Sequence, residues 1–123
     1  NDGLVLNKGY NERRKYFVIV GKNSKGDAIG LCLINSNLDF YKYVPAMQRF
    51  QYLLKADNYI GILSKDSRLD CAQLFPMKIK KCVAVKAMIV GRLTANDKQQ
   101  VISLVSSCGF IDEHIRKVYR IGL

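Results

Sequence analysis

The chain of 123 residues carries 20 Lys and Arg against ten Asp and Glu, which gives a formal net charge of +10. This length is typical of one domain with a substantial hydrophobic core, and we expect a single domain over residues 1–123. The charge favours a polyanion as partner, because fixed cations gain from the release of its counterions. No run of about 18 apolar residues occurs, and no signal-peptide pattern is seen at the start. We therefore expect no association with a membrane.

Two apolar runs predict a β-hairpin. Residues 16–21 (YFVIVG) and 28–35 (AIGLCLIN) have strand length and are joined by the turn formers of KNSKGD. Both runs are apolar at consecutive positions, so we expect both of their faces to be covered. Three cations, Arg13, Arg14 and Lys15, directly precede the first run.

The middle of the chain is less regular. Residues 36–49 predict an excursion with a helical turn after Pro45. Strands are predicted for FQYLLKA, residues 50–56, and for SRLDCAQLF, residues 67–75. The alternation of apolar residues and lysines over residues 75–85 predicts one or two further half-buried antiparallel strands whose lysines face outward.

The C-terminal part changes to helical periodicity. Thr94 or Asn96 is expected to cap a helix in TANDKQQVISLVSSCG, and Gly109 is expected to end it. Asp112 is expected to cap a second short helix. Strands first and helices last favour the α+β class, here a small antiparallel barrel or rolled sheet packed by helices.

The cysteines are widely spaced and form no CxxC pair, which excludes the usual zinc-ligand spacing. Each has apolar neighbours and is expected to be a buried free thiol: Cys32, Cys71, Cys82 and Cys108. Free thiols indicate a reducing compartment, and we expect the cytoplasm. The sequence has no phosphate loop, no GxGxxG and no His or Cys cluster, so we expect neither a metal nor another cofactor.

The types of residue in the chain limit the catalytic mechanisms that it could use. The chain has one histidine, His114, so a Ser-His-Asp or Cys-His arrangement would have a single base to draw on. Cleavage of RNA by its own 2′-hydroxyl needs a proton acceptor, a cation for the phosphorane and a proton donor for the leaving oxygen. Arginine suits the second role, because its planar fork matches phosphate oxygens. Arg13 and Arg14 are therefore candidates, with solubilising charges at a strand end as the alternative.

The order of segments resembles the MazF/PemK family of toxin endoribonucleases. The resemblance lies in an arginine before YFVIV, a strand ending in INS, a later DSRLDCAQLF and a closing GRLTANDKQQVISLV, and it covers roughly residues 3–108. It implies an SH3-like barrel with a C-terminal helix and short extra helices. It also implies a homodimer, an antitoxin protein as partner, and metal-independent cleavage of single-stranded RNA. Lys15 stands where the family usually has proline.

The resemblance also implies roles for individual residues. Arg14 matches the catalytic arginine, with Arg13 as the neighbouring candidate, and Asn35 or Ser36 would position the scissile phosphate. Arg13 or Asp70 would help with proton transfer. The expected RNA contacts are Lys15, Ser67, Gln73, Lys78 and Lys80.

Two other classes of function stay open at this point. A nucleic-acid-binding barrel that does not cut would present a positive patch without the convergence of catalytic residues. A peptide-binding protein would expose an apolar groove, with Phe40, Tyr41 and Tyr43 as its lining. These rings, together with Lys42, are alternatively placed to stack on single-stranded bases or to fold over the end of the core.

Overall fold

The computed structural model describes residues 4–10, 13–38 and 44–121, with the backbone alone at 4–10 and at 13 and 14. Within these residues one sheet contains seven strands. They are β1 (Leu4–Tyr10), β2 (Arg13–Lys22), β3 (Ala28–Asn35), β4 (Gln51–Leu54), β5 (Ser67–Asp70), β6 (Phe75–Lys78) and β7 (Met88–Arg92). The helices are α1 (Pro45–Gln48), α2 (Ile79–Ala84), α3 (Ala95–Ser107) and α4 (Glu113–Val118), with a 3₁₀ turn at Ala56–Asn58.

The strands are antiparallel and follow the order β4-β5-β3-β2-β1-β7. Strand β3 shares its second edge between two neighbours, since β6 pairs with its first half and β5 with its last two residues. The α+β class is confirmed. The predicted SH3-like barrel is not closed among the described residues, because closure requires the outer strands to pair, and β4 and β7 end at opposite edges of the sheet.

The predicted hairpin is confirmed as β2 and β3, in register from Phe17 opposite Leu33. Asn23 organises the turn: its Oδ1 accepts from the backbone N–H groups of Asp27 and Ala28, both at 3.1 Å, and its Nδ2 donates to Asp27 Oδ1 at 2.6 Å. This last hydrogen bond is the main cause of a lowered pKa of the Asp27 carboxyl. Asparagine therefore acts here as the local template of the turn.

Both faces of the hairpin are covered, which explains its consecutive apolar residues. Val18 and Cys32 belong to a main core that also contains residues of α3 and of the segment after it. Phe17 and Leu31 point to the other face, where a smaller cluster includes Cys82 of α2. Because successive side chains of a strand point to opposite faces, neighbouring apolar residues pack into two different cores.

The expected strand over residues 75–85 is wrong beyond Lys78, where the chain turns into α2. Lys78 pairs with Ala28, which is the first residue of β3. A longer β6 would have no partner on β3, and unpaired backbone groups favour a helix instead. The predicted outward position of the lysines is confirmed, since Lys78, Lys80 and Lys86 are exposed.

The strand expected over residues 67–75 is interrupted. Residues 71–74 form a turn between β5 and β6, and the carboxylate of Asp70 accepts the backbone N–H of Ala72 at 3.0 Å. Cys71 and Ala72 are buried in the main core at this turn. The strand over 50–56 is confirmed as the shorter β4.

The predicted N-terminal caps of two helices are confirmed, whereas α3 ends at Ser107 with Cys108, not Gly109, as its C-cap residue. Thr94 precedes α3 and its Oγ1 accepts from the backbone N–H of Asp97 at 3.2 Å. Asp112 precedes α4 and accepts from the backbone N–H of His114 at 2.8 Å. The helical turn after Pro45 is α1. Short polar side chains thus satisfy helix N–H groups that have no intrahelical partner.

Helix α3 is held on the sheet by a polar cluster that we call the Asp97 cluster, made of Tyr52, Tyr59, Thr94 and Asp97. The hydroxyls of Tyr52 and Tyr59 donate to the two carboxylate oxygens of Asp97 at 2.6 and 2.5 Å. The Thr94 backbone N–H donates to the Tyr59 hydroxyl at 3.1 Å. Burial, followed by the hydrogen bond to Asp97, raises the pKa of Tyr52 to about 12 and also raises the pKa of Tyr59.

All four cysteines are free and buried, as predicted. None of the helices in the described ranges combines the length and the apolar character that crossing a bilayer requires. The same ranges contain no group of three or more His, Cys, Asp or Glu side chains arranged to hold a metal ion.

Candidate nucleic-acid site at the ends of β2 and β3

A cleft of about 460 Å³ lies where β2 begins and β3 ends, and we call it the strand-end cleft. The strands contribute Lys15, Tyr16, Leu33, Ile34, Asn35 and Ser36, and the segment that leads into β5 contributes Ile62, Leu63, Ser64, Lys65 and Ser67. The antiparallel hairpin explains the first group, because the start of β2 and the end of β3 lie side by side. The pairing of β5 with Ile34 and Asn35 brings in the second group.

Among the side chains that the structure describes, the charged residues that line the strand-end cleft are two lysines, Lys15 and Lys65. The nearest acid in sequence, Asp66, uses its Oδ1 to accept the backbone N–H of Ala56 at 2.8 Å. The cleft is therefore cationic. A concave site with one sign of charge concentrates ligands of the opposite sign.

Amide and hydroxyl groups complete the polar lining. Asn35 closes a tight turn, since its Oδ1 accepts the backbone N–H of Asn37 at 2.8 Å. Its carboxamide also carries N–H donors, and the hydroxyls of Ser36 and Ser64 can donate as well. Ser67 is buried and donates to the backbone oxygen of Lys65 at 3.0 Å. Donors of this kind beside lysines suit phosphate oxygens.

A buried polar network lies behind the cleft, formed by Arg68, Gln51 and Asp70. Arg68 and Asp70 are each 3% exposed. Arg68 Nε donates to the backbone oxygen of Asn37 at 2.7 Å, and its Nη1 donates to Gln51 Oε1. Gln51 Nε2 donates to Asp70 Oδ1 at 2.8 Å. The network thus anchors the backbone two residues after Asn35 to the buried strand β5.

The structure brings four of the predicted site residues together in the strand-end cleft: Lys15, Asn35, Ser36 and Ser67. Three predicted RNA contacts lie elsewhere. Gln73 is in the turn between β5 and β6, Lys78 lies opposite the first residue of β3, and Lys80 follows in α2. Lys78 pairs with Ala28, and Asn35 lies seven positions after Ala28, which is about 23 Å along the strand.

Asp70, which was also predicted as a site residue, does not line the strand-end cleft. Its Oδ1 accepts from both Gln51 and the Ala72 backbone N–H. Gln51 connects Asp70 to Arg68, because it donates to Asp70 through Nε2 and accepts from Arg68 through Oε1. These hydrogen bonds satisfy the buried carboxylate and fix its position.

Several predictions fall outside the described residues. The side chains of Arg13 and Arg14 are among these, although both residues belong to β2 and pair through their backbones with Tyr10 and Gly9. The aromatic cluster of Phe40, Tyr41 and Tyr43, with Lys42, also lies outside. His114 is exposed on α4.

Sequence reasoning missed Lys65, Arg68 and Gln51. Lys65 enters the cleft only because β5 pairs with the end of β3, which is a contact between distant parts of the chain. Arg68 did carry a signal. A cation inside the strand SRLD, whose four residues are all buried, requires a polar network around it.

A scan against protein-family models finds no match for this chain, and a search of curated proteins finds none.

Proposed function

We propose that the chain is a metal-independent endoribonuclease of the toxin-antitoxin type, resembling the MazF/PemK family, which cleaves single-stranded RNA in the strand-end cleft. One observation carries the proposal: Lys15, Asn35, Ser36 and Ser67, chosen from the sequence as RNA-site residues, line one cleft whose described charged side chains are both lysines. A net charge of +10 supports a polyanionic substrate.

In this proposal Lys15 and Lys65 neutralise the RNA backbone, and Asn35 or Ser36 donates hydrogen bonds to the oxygens of the scissile phosphate. Arg14 directly precedes Lys15 in β2 and stabilises the phosphorane. The 2′-oxygen attacks the adjacent phosphorus while the bond to the 5′-oxygen breaks. The products are a 2′,3′-cyclic phosphate and a strand with a 5′-hydroxyl.

The 2′-hydroxyl proton must leave and the 5′-oxygen must gain one. Arg13 or Asp70 is the proposed participant in this proton transfer, as the resemblance implies. Asp70 Oδ1 accepts hydrogen bonds from Gln51 and from the Ala72 backbone N–H, and these contacts hold its carboxylate in place. An arginine would need a strongly lowered pKa to accept a proton.

The same resemblance supports an antitoxin protein as partner, a homodimer as the functional unit and the cytoplasm as the location. The location is supported by four buried cysteines that form no disulfide.

The test is cleavage of a long single-stranded RNA in excess EDTA. We expect fragments with 2′,3′-cyclic phosphate ends from the wild-type protein and a loss of at least a hundredfold in rate for Arg14→Ala. Lys98→Ala, on the exposed face of α3, is the matched control and should cut normally. Intact RNA with the wild-type protein would overturn the nuclease proposal.

A second candidate function is binding of RNA without cleavage. It is favoured by the described lining of the cleft, which contains no imidazole and no carboxylate that could act as a base. The discriminating result is intact RNA that binds with a steep salt dependence. The slope should fall by about 1.4 when Lys15 and Lys65 are both changed to Ala, at about 0.7 for each lost phosphate contact on a single strand.

A further inference from the structure

A second concave surface lies at the other end of β3, against α2, and we call it the α2 groove. It has a volume of about 400 Å³, and most of the side chains that line it are apolar. These apolar residues are Ile19, Ile29, Ile79, Cys82, Ala87 and Ile89. Pockets that hold small molecules have volumes of about 300–1,000 Å³ and a similar, mainly apolar lining.

The α2 groove has a buried floor and an exposed mouth. Ile19, Ile29 and Cys82 belong to the smaller core and are at most 9% exposed. Ile79 and Ile89 are 39% and 56% exposed. An apolar molecule in the groove would therefore remove from water apolar surface that the fold leaves uncovered.

Lys22 is the one charged residue in the described lining of the α2 groove. No hydroxyl or carboxamide side chain accompanies it in that lining. Because Lys22 is exposed, its alkyl stem can lie along the apolar wall while its ammonium group stays at the mouth, in water. The groove thus combines a large apolar wall with a single cation.

A β-bulge directs Lys22 to this groove. In a regular strand Ile19 and Lys22, three positions apart, would point to opposite faces of the sheet. The pairing of β2 with β3 shifts register here, since Ile19 lies opposite Leu31 and Gly21 lies opposite Gly30. The extra residue brings Lys22 to the same face as Ile19, and both line the groove. An irregularity of the strand therefore places a cation beside an apolar surface.

From this arrangement we propose that the α2 groove binds a small amphipathic molecule with an apolar body and a single carboxylate, of the chemical class of a free medium-chain fatty acid. The apolar body packs on the isoleucines of the groove, and the carboxylate accepts a hydrogen bond from the Lys22 ammonium group. The proposal is independent of the RNA site, because the groove and the strand-end cleft share no described lining residue.

The number of donors selects a carboxylate over a phosphate group. A phosphate has more charge and more acceptor oxygens than one ammonium group satisfies, and phosphate sites combine several cations or free backbone N–H groups. The backbone N–H of Lys22 already donates to the backbone oxygen of Tyr119 at 3.0 Å.

The same charge argues against a second copy of the chain as the occupant. A copy docked through this face would bring another Lys22 and, from the described lining, no carboxylate to pair with it.

The probes are decanoate and decanol, which share the apolar chain and differ in the carboxylate, each titrated below its aggregation limit in a calorimeter. We expect the wild-type protein to bind decanoate at one site, about fivefold more tightly than decanol. Lys22→Gln should remove this preference and leave the affinity for decanol unchanged. Ile89→Ser should weaken both ligands alike, several-fold. Lys98→Gln, which removes an exposed charge on α3 at the other face of the hairpin, should change neither.

Four results would overturn the proposal. The first is no saturable binding of decanoate by the wild-type protein, and the second is an unchanged preference for decanoate in Lys22→Gln. The third is tighter binding of decyl phosphate with the same dependence on Lys22, which would assign the groove to phosphate. The last is a set of decanoate-induced amide NMR shifts at Asn35 and Ser36 instead of at Ile29, Cys82 and Ile89. None of these measurements uses RNA, so the proposed nuclease stands or fails separately.

Discussion

The two faces of the β2–β3 hairpin are formed by the same two strands but differ in how fully other elements cover them. On one face Val18, Val20 and Cys32 pack into the main core beneath α3 and the segment that follows it. On the other face Phe17, Ile19 and Leu31 form the smaller cluster, over which α2 supplies one buried side chain, Cys82. The same strands therefore support a closed face and a face that α2 covers only in part, which we call the open face. The closed face contributes most of the buried apolar surface, whereas large apolar side chains beside the open face, such as Ile79 and Ile89, remain exposed.

The largest expected effect is the loss of the Asp97 cluster on the closed face. Asp97→Ala leaves the buried hydroxyl of Tyr59 without its carboxylate acceptor, and a buried polar group without a partner is costly. We expect the free energy of unfolding to fall by about 3 kcal/mol, measured by urea denaturation. Asp112→Ala, which removes only an exposed helix cap, should cost about 1 kcal/mol. Equal losses in the two variants would contradict a special role for the cluster.

A matched pair of valines tests the two faces directly. Val105 in α3 is 0% exposed, whereas Val83 in α2 is 72% exposed. We expect Val105→Ala to lower the free energy of unfolding by about 2 kcal/mol, because it removes two buried methyl groups and leaves a cavity. Val83→Ala should change it by less than about 0.5 kcal/mol. A large loss for Val83→Ala would show that the open face is covered in solution.

Close packing at Gly21 gives the next effect. A Cβ atom at this position would lie 2.3 Å from the backbone oxygen of Tyr119, which accepts from the Lys22 backbone N–H at 3.0 Å. We expect Gly21→Ala to lower the free energy of unfolding by about 1.5 kcal/mol. Gly109→Ala is the control, since a Cβ there would meet no atom within 4 Å. An unchanged midpoint of urea denaturation for Gly21→Ala would show that α4 is not held against β2.

The smallest expected effect is a dependence on alkaline pH. The pKa of Tyr52 is raised to about 12 in the folded protein, from an ordinary value of 10.0. The unfolded chain therefore loses this proton first, and stability falls as the pH rises from about 10 to about 12. Tyr52→Phe should lose less stability over this interval when urea denaturation is repeated along the pH series. A wild-type curve parallel to that of Tyr52→Phe would contradict the assignment.

Local patterns predicted part of the fold, but not β1, α2 or β7. The hairpin, β4 and the helices after Thr94 and Asp112 depend on residues within one or two turns of each other, and all were expected from the sequence. The strand predicted over residues 75–85 failed for a non-local reason. Its pattern had the right period, but β3 begins at Ala28 and offers no partner beyond Lys78. Closure of the sheet into a barrel likewise depends on contacts between distant strands.

The residues of the candidate site likewise fall into those that were expected from the sequence and those that were missed. Lys15, Asn35 and Ser36 were expected from the resemblance, and the local β2–β3 hairpin is enough to bring them together. Lys65 and Arg68 were missed because their positions depend on the pairing of β5 with β3, which no local pattern encodes. The Asp97 cluster was missed for the same reason, since its residues Tyr52 and Asp97 are 45 positions apart.

The shared edge of β3 has a consequence for the order of folding. The β2–β3 hairpin closes over a short turn, whereas β5 and β6 reach β3 across more than 30 residues of intervening chain. Short loops close at a smaller entropic cost, so the hairpin is expected to form first and then serve as the template on which β5 and β6 dock. Amide protons of β3 would then be the slowest to exchange with solvent. The strand-end cleft, which needs β5 beside β3, would be completed only in the last steps of folding, so a partially folded chain would lack it.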